Sequence, residues 1–180
     1  MCRYVTAVLP ANAPHEALDV LARTHGRRFS RLSSPSVAPQ LKSDEAYFLT
    51  TLGHCDCDEP VGARHAKEQD WDEMARKLAR KGWSEGKVAR AVAQKREQAE
   101  AADGVQRRRA DDDLARWVAF VDAVLTSGQV RELGLLLHFY GGGLEDEDVT
   151  IRERRRVGVA EDRAALLHGM EQDVLYLFHG

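Results

Sequence analysis

The spacing of apolar positions predicts an alternation of strands and helices along the chain. Tyr4 to Leu9 is apolar on both faces and predicts a mostly buried strand over residues 3–9. Pro14 then opens a helix carrying Ala17, Leu18 and Leu21 at helical spacing, and Gly26 stops it. Residues 30–40, with two prolines and four serines, predict a surface loop. A second strand follows from Ala46 to Leu52, rich in Tyr, Phe and Thr and ended by Gly53.

From about Lys67 to Ser127 the period is helical. Trp71, Met74, Ala75 and Leu78 form one apolar stripe, and Leu114, Trp117, Val118, Val121 and Leu125 form a stronger one. Val88, Ala91 and Val92 make a thin stripe between them. Gly82 and the Asp103-Gly104 pair predict breaks, with Ser84 as the cap of a middle helix. Leu133 to Tyr140 is apolar on both faces and predicts a central strand. Gly141-Gly142-Gly143 and an acidic run predict a hairpin loop. The alternation Val149, Ile151, Val157, Val159 predicts a strand at a sheet edge, protected by Arg152, Arg154 and Arg156. A short helix over 161–169 and a last apolar segment, 174–178, complete the pattern.

This order predicts an α+β (or α/β) fold: one mixed sheet of four to five strands, with helices packed on it and a central helical hairpin as an insertion. The 180 residues suit a single domain. Residues 1–63 would form a β-α-β unit, 64–130 the helical insertion, and 131–180 the remaining strands with their short helix. Hydrophobic residues make up 43% of the chain, enough for a packed core. No window approaches the roughly 18 apolar residues that span a membrane. Three cysteines cannot build a disulfide framework, which predicts reduced thiols and a cytoplasmic protein.

The one chemically distinctive segment is His54-Cys55-Asp56-Cys57-Asp58, directly after a strand. Its plainest reading is a packed turn, with cysteine as a small hydrophobe and Asp56 as a turn residue. The chemical alternatives are a reactive thiol or a zinc site in which His54, Cys55 and Cys57 supply three ligands. Two sulfurs on one zinc lie roughly 3.8 Å apart, given Zn–S bonds of about 2.3 Å. Same-face positions on a strand are separated by roughly 6.6 Å, so the segment must turn to chelate. A fourth ligand would come from His65, His25, Cys2 or water. Cys2 is placed poorly if the first two strands run parallel, and well only if they run antiparallel.

MCRYVTAVLP at the start, YFLTTLGHCDC in the middle and ARKGWSEGKVAR in the helices together resemble a group of small bacterial proteins of uncharacterised function, which carry a GHCDCG-type turn and a KKGWSE-type helix start. Asp58 stands where that turn carries Gly. The resemblance implies a common fold and brings no activity with it.

The net charge is −3, but residues 64–96 hold ten Lys and Arg against five Asp and Glu, and residues 97–148 hold five against twelve. The basic residues concentrate in Arg76, Lys77, Arg80, Lys81, Lys87, Arg90, Lys95 and Arg96. A solvated helical face paired with its acidic neighbour in a hairpin is the simplest account of them. A protein-partner surface comes next, and nucleic acid, through an element resembling a helix-turn-helix, is the less favoured reading. His138, inside an apolar strand, is expected to be a satisfied core histidine. With no catalytic constellation in view, the sequence favours a small protein that acts by binding a protein partner, immunity- or antitoxin-like by analogy alone. The metal- or thiol-dependent site is the alternative.

Overall fold

A computed structural model describes residues 1–62 and 71–180, with the backbone alone over 100–108. Its chain forms two compact units, residues 1–63 with 113–180, and residues 64–112. The first unit holds a six-stranded mixed sheet in the order β2-β3-β1-β4-β6-β5, where the sequence predicts four or five strands. The strands are β1 (Cys2–Pro10), β2 (Arg27–Arg31), β3 (Glu45–Thr51), β4 (Glu132–Tyr140), β5 (Glu153–Val157) and β6 (Val174–His179). Every neighbouring pair is antiparallel except β5 with β6.

The expected β-α-β unit is instead β-α-β-β. Helix α1 (His15–Thr24) buries Leu18 and Ala22 and ends ahead of Gly26 at φ +71°, a left-handed position that glycine takes without strain. The chain then enters β2, whose short run RRFSR lacks the apolar alternation that marks a strand. Its single buried apolar side chain is Phe29, and it lies at one sheet edge. β3 returns antiparallel to both β2 and β1.

β4 is central as expected, lying between β1 and β6 with every residue from Leu133 to Leu137 buried. One sheet face carries the larger core, in which Val5, Ala7, Leu9, Leu135 and Phe178 meet Leu18 of α1, Leu167 of α4 (Arg163–His168) and the end of α3 (Glu85–Thr126). There Trp117, Phe120, Val121, Val124 and Leu125 are buried, with Leu114 and Val118 packed beside them, so the predicted stripe is the packing face. The other sheet face is covered by loops rather than helices: Val37, Val149 and their neighbours close over Val8, Tyr47, Leu136 and Tyr140. The Ser- and Pro-rich segment expected as a surface loop therefore buries Ser34 and Val37. Gln40 ties the two covering loops, donating to the Val149 carbonyl at 2.7 Å and accepting from the Ile151 amide at 2.7 Å.

Three other expectations change. The Gly141–Gly143 turn is not a hairpin, because β4 and β5 are separated by β6; Glu147 gathers the loop by accepting from the amides of Gly141 and Gly142. Asp103-Gly104 does not break the helix: α3 runs through it for 42 residues, since one glycine among good helix formers costs only about 1 kcal/mol. The insertion is accordingly α2 (Trp71–Arg80), a turn at Gly82 (φ +81°), and the first part of α3. The Ser84 carbonyl accepts the Val88 amide at 2.9 Å, as expected of the residue before the helix. The basic segment and the acidic one from residue 97 thus follow one another along a single helix and do not form the expected hairpin pair.

β5 is the expected edge strand. Its Arg154 forks onto Glu45 of β3 at 2.7 and 2.9 Å. Burial alone would raise the Glu45 pKa, but this fork, the Lys42 amide and the charges of Arg154 and Lys42 lower it to about 2. A carboxyl depressed by folding contributes stability above its ordinary pKa, and that contribution is lost as pH falls from about 4.5 toward 2. Denaturant titrations at several pH values check this: the deficit of a Glu45→Gln variant is largest well above pH 4.5 and shrinks as pH falls toward 2.

Candidate metal centre

At the sheet end where β1 begins, β3 has already stopped at Thr51, and the turn that follows takes its place beside β1. The Asp56 amide donates to the Arg3 carbonyl at 2.8 Å, and the Arg3 amide donates to Cys57 Sγ at 3.3 Å. The Val5 amide donates to Asp56 Oδ2 at 2.8 Å. Asp56 is 1% exposed. It also accepts from the Thr51 hydroxyl at 2.5 Å and from Arg27 Nη1 at 2.8 Å. Each oxygen of this buried carboxylate thereby meets a donor, which is the condition for burying a charge.

Arg3 holds the remainder of the turn. Its guanidinium is buried and donates to the carbonyls of Asp56 at 3.0 and 2.8 Å, Cys57 at 3.1 Å and Gly62 at 3.4 Å, and to that of Glu59. Five carbonyl contacts on one fixed cation leave the turn little conformational freedom. Arg27 stacks 4.0 Å over the Trp117 ring and pairs with Glu59, whose other oxygen accepts from Trp117 Nε1 at 2.9 Å. The turn closes at Gly62, whose φ is +62° and whose amide donates to Leu167 at 2.9 Å. A Cβ there would lie 2.2 Å from Leu137 Cδ2 and 2.9 Å from the Met170 carbonyl. Gly62→Ala is therefore expected to cost about 2–4 kcal/mol, read as a shift in denaturant midpoint.

The consequence is a cluster of sulfurs. With Asp56 drawn inward, Cys55 and Cys57 converge on Cys2 at the head of β1, and all three Sγ atoms lie within 4.8 Å of one another. All three thiols are free, Cys2 and Cys55 half-buried and Cys57 exposed. The condition on Cys2 is met, since β1 and β3 are antiparallel and the segment after β3 returns to the start of β1. Of the expected ligands, Cys55 and Cys57 are in this cluster and His54 is not. The His54 ring is exposed and outside the cluster; it is the His54 carbonyl that is used, accepting from Tyr4 Oη at 2.7 Å. His25 caps the end of α1 and is not in the cluster either. His65 lies outside the described residues.

The thiols differ in acidity. The Arg3 amide, with the Cys55 hydrogen bond next, holds Cys57 below the usual thiol range. Cys55 is pushed up: the Cys57 amide opposes this, but the bond to the Cys57 sulfur, desolvation and repulsion from Cys57 and Cys2 prevail. Burial, then the charges of Cys2 and Cys55, raise Tyr4. Three soft sulfurs converging on a braced turn are close enough to share one thiophilic metal ion.

The basic residues are all exposed. Arg76, Lys77 and Arg80 stand on α2, Lys81 in the turn, and Lys87, Arg90, Lys95 and Arg96 on α3. His138 is buried, with Nδ1 2.5 Å from Asp173 Oδ1 while Nε2 has no partner, so the expected core histidine is satisfied on one side. No helix among the described residues is long and apolar enough to cross a membrane. Comparison of the chain with protein-family models, curated proteins and solved structures finds no match, and the centre is read from its own chemistry.

Proposed function

We propose that the protein binds a thiophilic metal ion, zinc in the first instance, through the thiolates of Cys2, Cys55 and Cys57. The observation that carries this reading is the convergence of three sulfurs, from two segments over fifty residues apart, within 4.8 Å. Tetrahedral zinc asks for roughly 3.8 Å between sulfurs, so at most about 1 Å of adjustment closes the set. The bracing by Arg3 and Asp56 supports the reading, because groups around a metal site commonly fix its ligands before the ion arrives. Three protein ligands leave one position for water or an outside ligand, the pattern of zinc sites that bind or activate a further molecule rather than only staple a fold. A protein-partner role, favoured by composition, has no comparable cluster behind it among the described residues.

Cobalt(II) titration of the reduced full-length protein tests the proposal. The expected result is a thiolate-to-metal charge-transfer band that saturates at one equivalent and is bleached by zinc. A spectrum that stays that of aqueous cobalt overturns it.

A further inference from the structure

The second unit carries an independent signal. Of its eight clustered cations, Lys77 pairs with Glu73 at 2.8 Å. Arg80, Lys81, Lys87, Arg90 and Lys95 meet no carboxylate among the described residues, and all five are exposed. The acidic stretch that would neutralise them in a hairpin instead continues along α3. Among the described residues Arg80 and Arg90 donate to carbonyls of their own helices and meet no carboxylate. The Lys87 ammonium lies 4.1 Å over the ring of exposed Trp83, beside the turn.

Shape adds to charge. Along the first turns of α3, Val88 is buried and Ala91 and Val92 are half-buried, which defines the inner face. At 100° per residue the opposite face presents Gly86, Ala89, Arg90 and Ala93, all exposed. Lys87 stands on one flank of that face and Arg96 on the other. A face of small residues allows close approach of the helix backbone, and flanking cations then meet charge on both sides. Residues 85–96 span about 18 Å, and the major groove of B-form DNA, about 12 Å wide and walled by phosphates, admits such a helix. A-form RNA offers a groove too narrow for it. An acidic protein surface would be matched by a compact patch around an apolar anchor, whereas the outward face here is made of small residues with Arg90 as its cation, and Lys87 and Arg96 stand on its flanks.

We infer that the α2–turn–α3 element is a docking surface for duplex DNA, with the outward face of α3 toward the major groove and Arg80, Lys81, Lys87 and Arg90 toward phosphates. Recognition is of the backbone: the small residues of this face carry no bidentate group for a base, and Arg90 goes to phosphate. The inference does not depend on the metal centre.

The test is fluorescence anisotropy of the full-length protein with a labelled mixed-sequence duplex of roughly 20 bp, two helical turns. The salt range is about 50 to 200 mM. Four phosphate contacts predict that log K falls with log salt at a slope near −3.6, at about −0.9 per contact. A Lys87→Glu/Arg90→Glu variant should bind at least 10-fold more weakly, with a slope flattened by roughly 1.8. Arg116→Glu, the same kind of change on an exposed residue outside the surface, should leave binding nearly unaltered. The proposal is overturned by no binding at the lowest salt, by a slope near zero, or by equal losses in the two variants. Poly-glutamate binding more tightly than the duplex would overturn it in favour of an acidic protein partner.

Discussion

Replacing Asp56 by alanine is expected to cost about 3–5 kcal/mol, the range for removing one partner of a buried ion pair. The carboxylate is met by the Val5 amide, the Thr51 hydroxyl and Arg27. Its removal leaves the Arg27 guanidinium, which is 10% exposed at the side chain, with Glu59 alone of its two carboxylate partners. Glu59 compensates that charge only in part, because its second oxygen is engaged by Trp117. Asp56→Asn should lie between alanine and wild type: the amide keeps the volume and one acceptor, but sets an NH2 against donors on the other side. Urea unfolding followed by tryptophan fluorescence reads this directly, since Trp117 sits under Arg27. An Asp56→Ala variant within 1 kcal/mol of wild type would show that the turn does not depend on this carboxylate. Cysteine accessibility gives a second readout, because loss of Asp56 frees Cys55 and Cys57 to leave Cys2.

The second large effect concerns the sulfurs. Removal of a group that hydrogen-bonds a metal ligand typically lowers metal affinity 10- to 100-fold, so loss of a ligand itself is expected to exceed about 100-fold. Cys2→Ser, Cys55→Ser and Cys57→Ser should be similar in this respect, and His54→Ala should bind as wild type does. Acid should release the ion, because thiolates and not thiols are ligands. The sign follows from the thiol shifts. Cys55, held high, is the first to regain its proton as pH falls, and Cys57, held low by the Arg3 amide, is the last. Apparent affinity should therefore rise steadily with pH through the neutral range, measured by competition with a chelator of known proton dependence.

Much of the frame is legible from residue pattern alone. The run Leu133–Tyr140, apolar on both faces, marks a buried strand, and the stripe from Leu114 to Leu125 marks the helix that covers the sheet. Two of the three clustered cysteines are equally visible, two residues apart. Cys2 is not, because its nearness to Cys55 and Cys57 depends on strand direction, and direction is set by β2. That strand is short and polar, so its insertion, which turns a parallel unit into an antiparallel one, leaves almost no trace in periodicity. Arg3 and Arg27 escape notice for a related reason: charged residues in strands read as solvent-facing, and only the folded turn shows that their partners are backbone carbonyls and a buried Asp. The continuity of α3 is the remaining gap. Asp103-Gly104 carries a strong local break signal, and helix formers on both sides outweigh it.

The role of Cys2 separates the three-sulfur centre from a two-cysteine turn most sharply. Zinc content and affinity of full-length protein and Cys2→Ser, prepared reduced and metal-replete, measure it. The account predicts one equivalent of zinc in the wild type and a loss of more than about 100-fold in affinity on replacing Cys2. Retention of zinc at wild-type affinity by Cys2→Ser, or its absence from the metal-replete wild type, would contradict it.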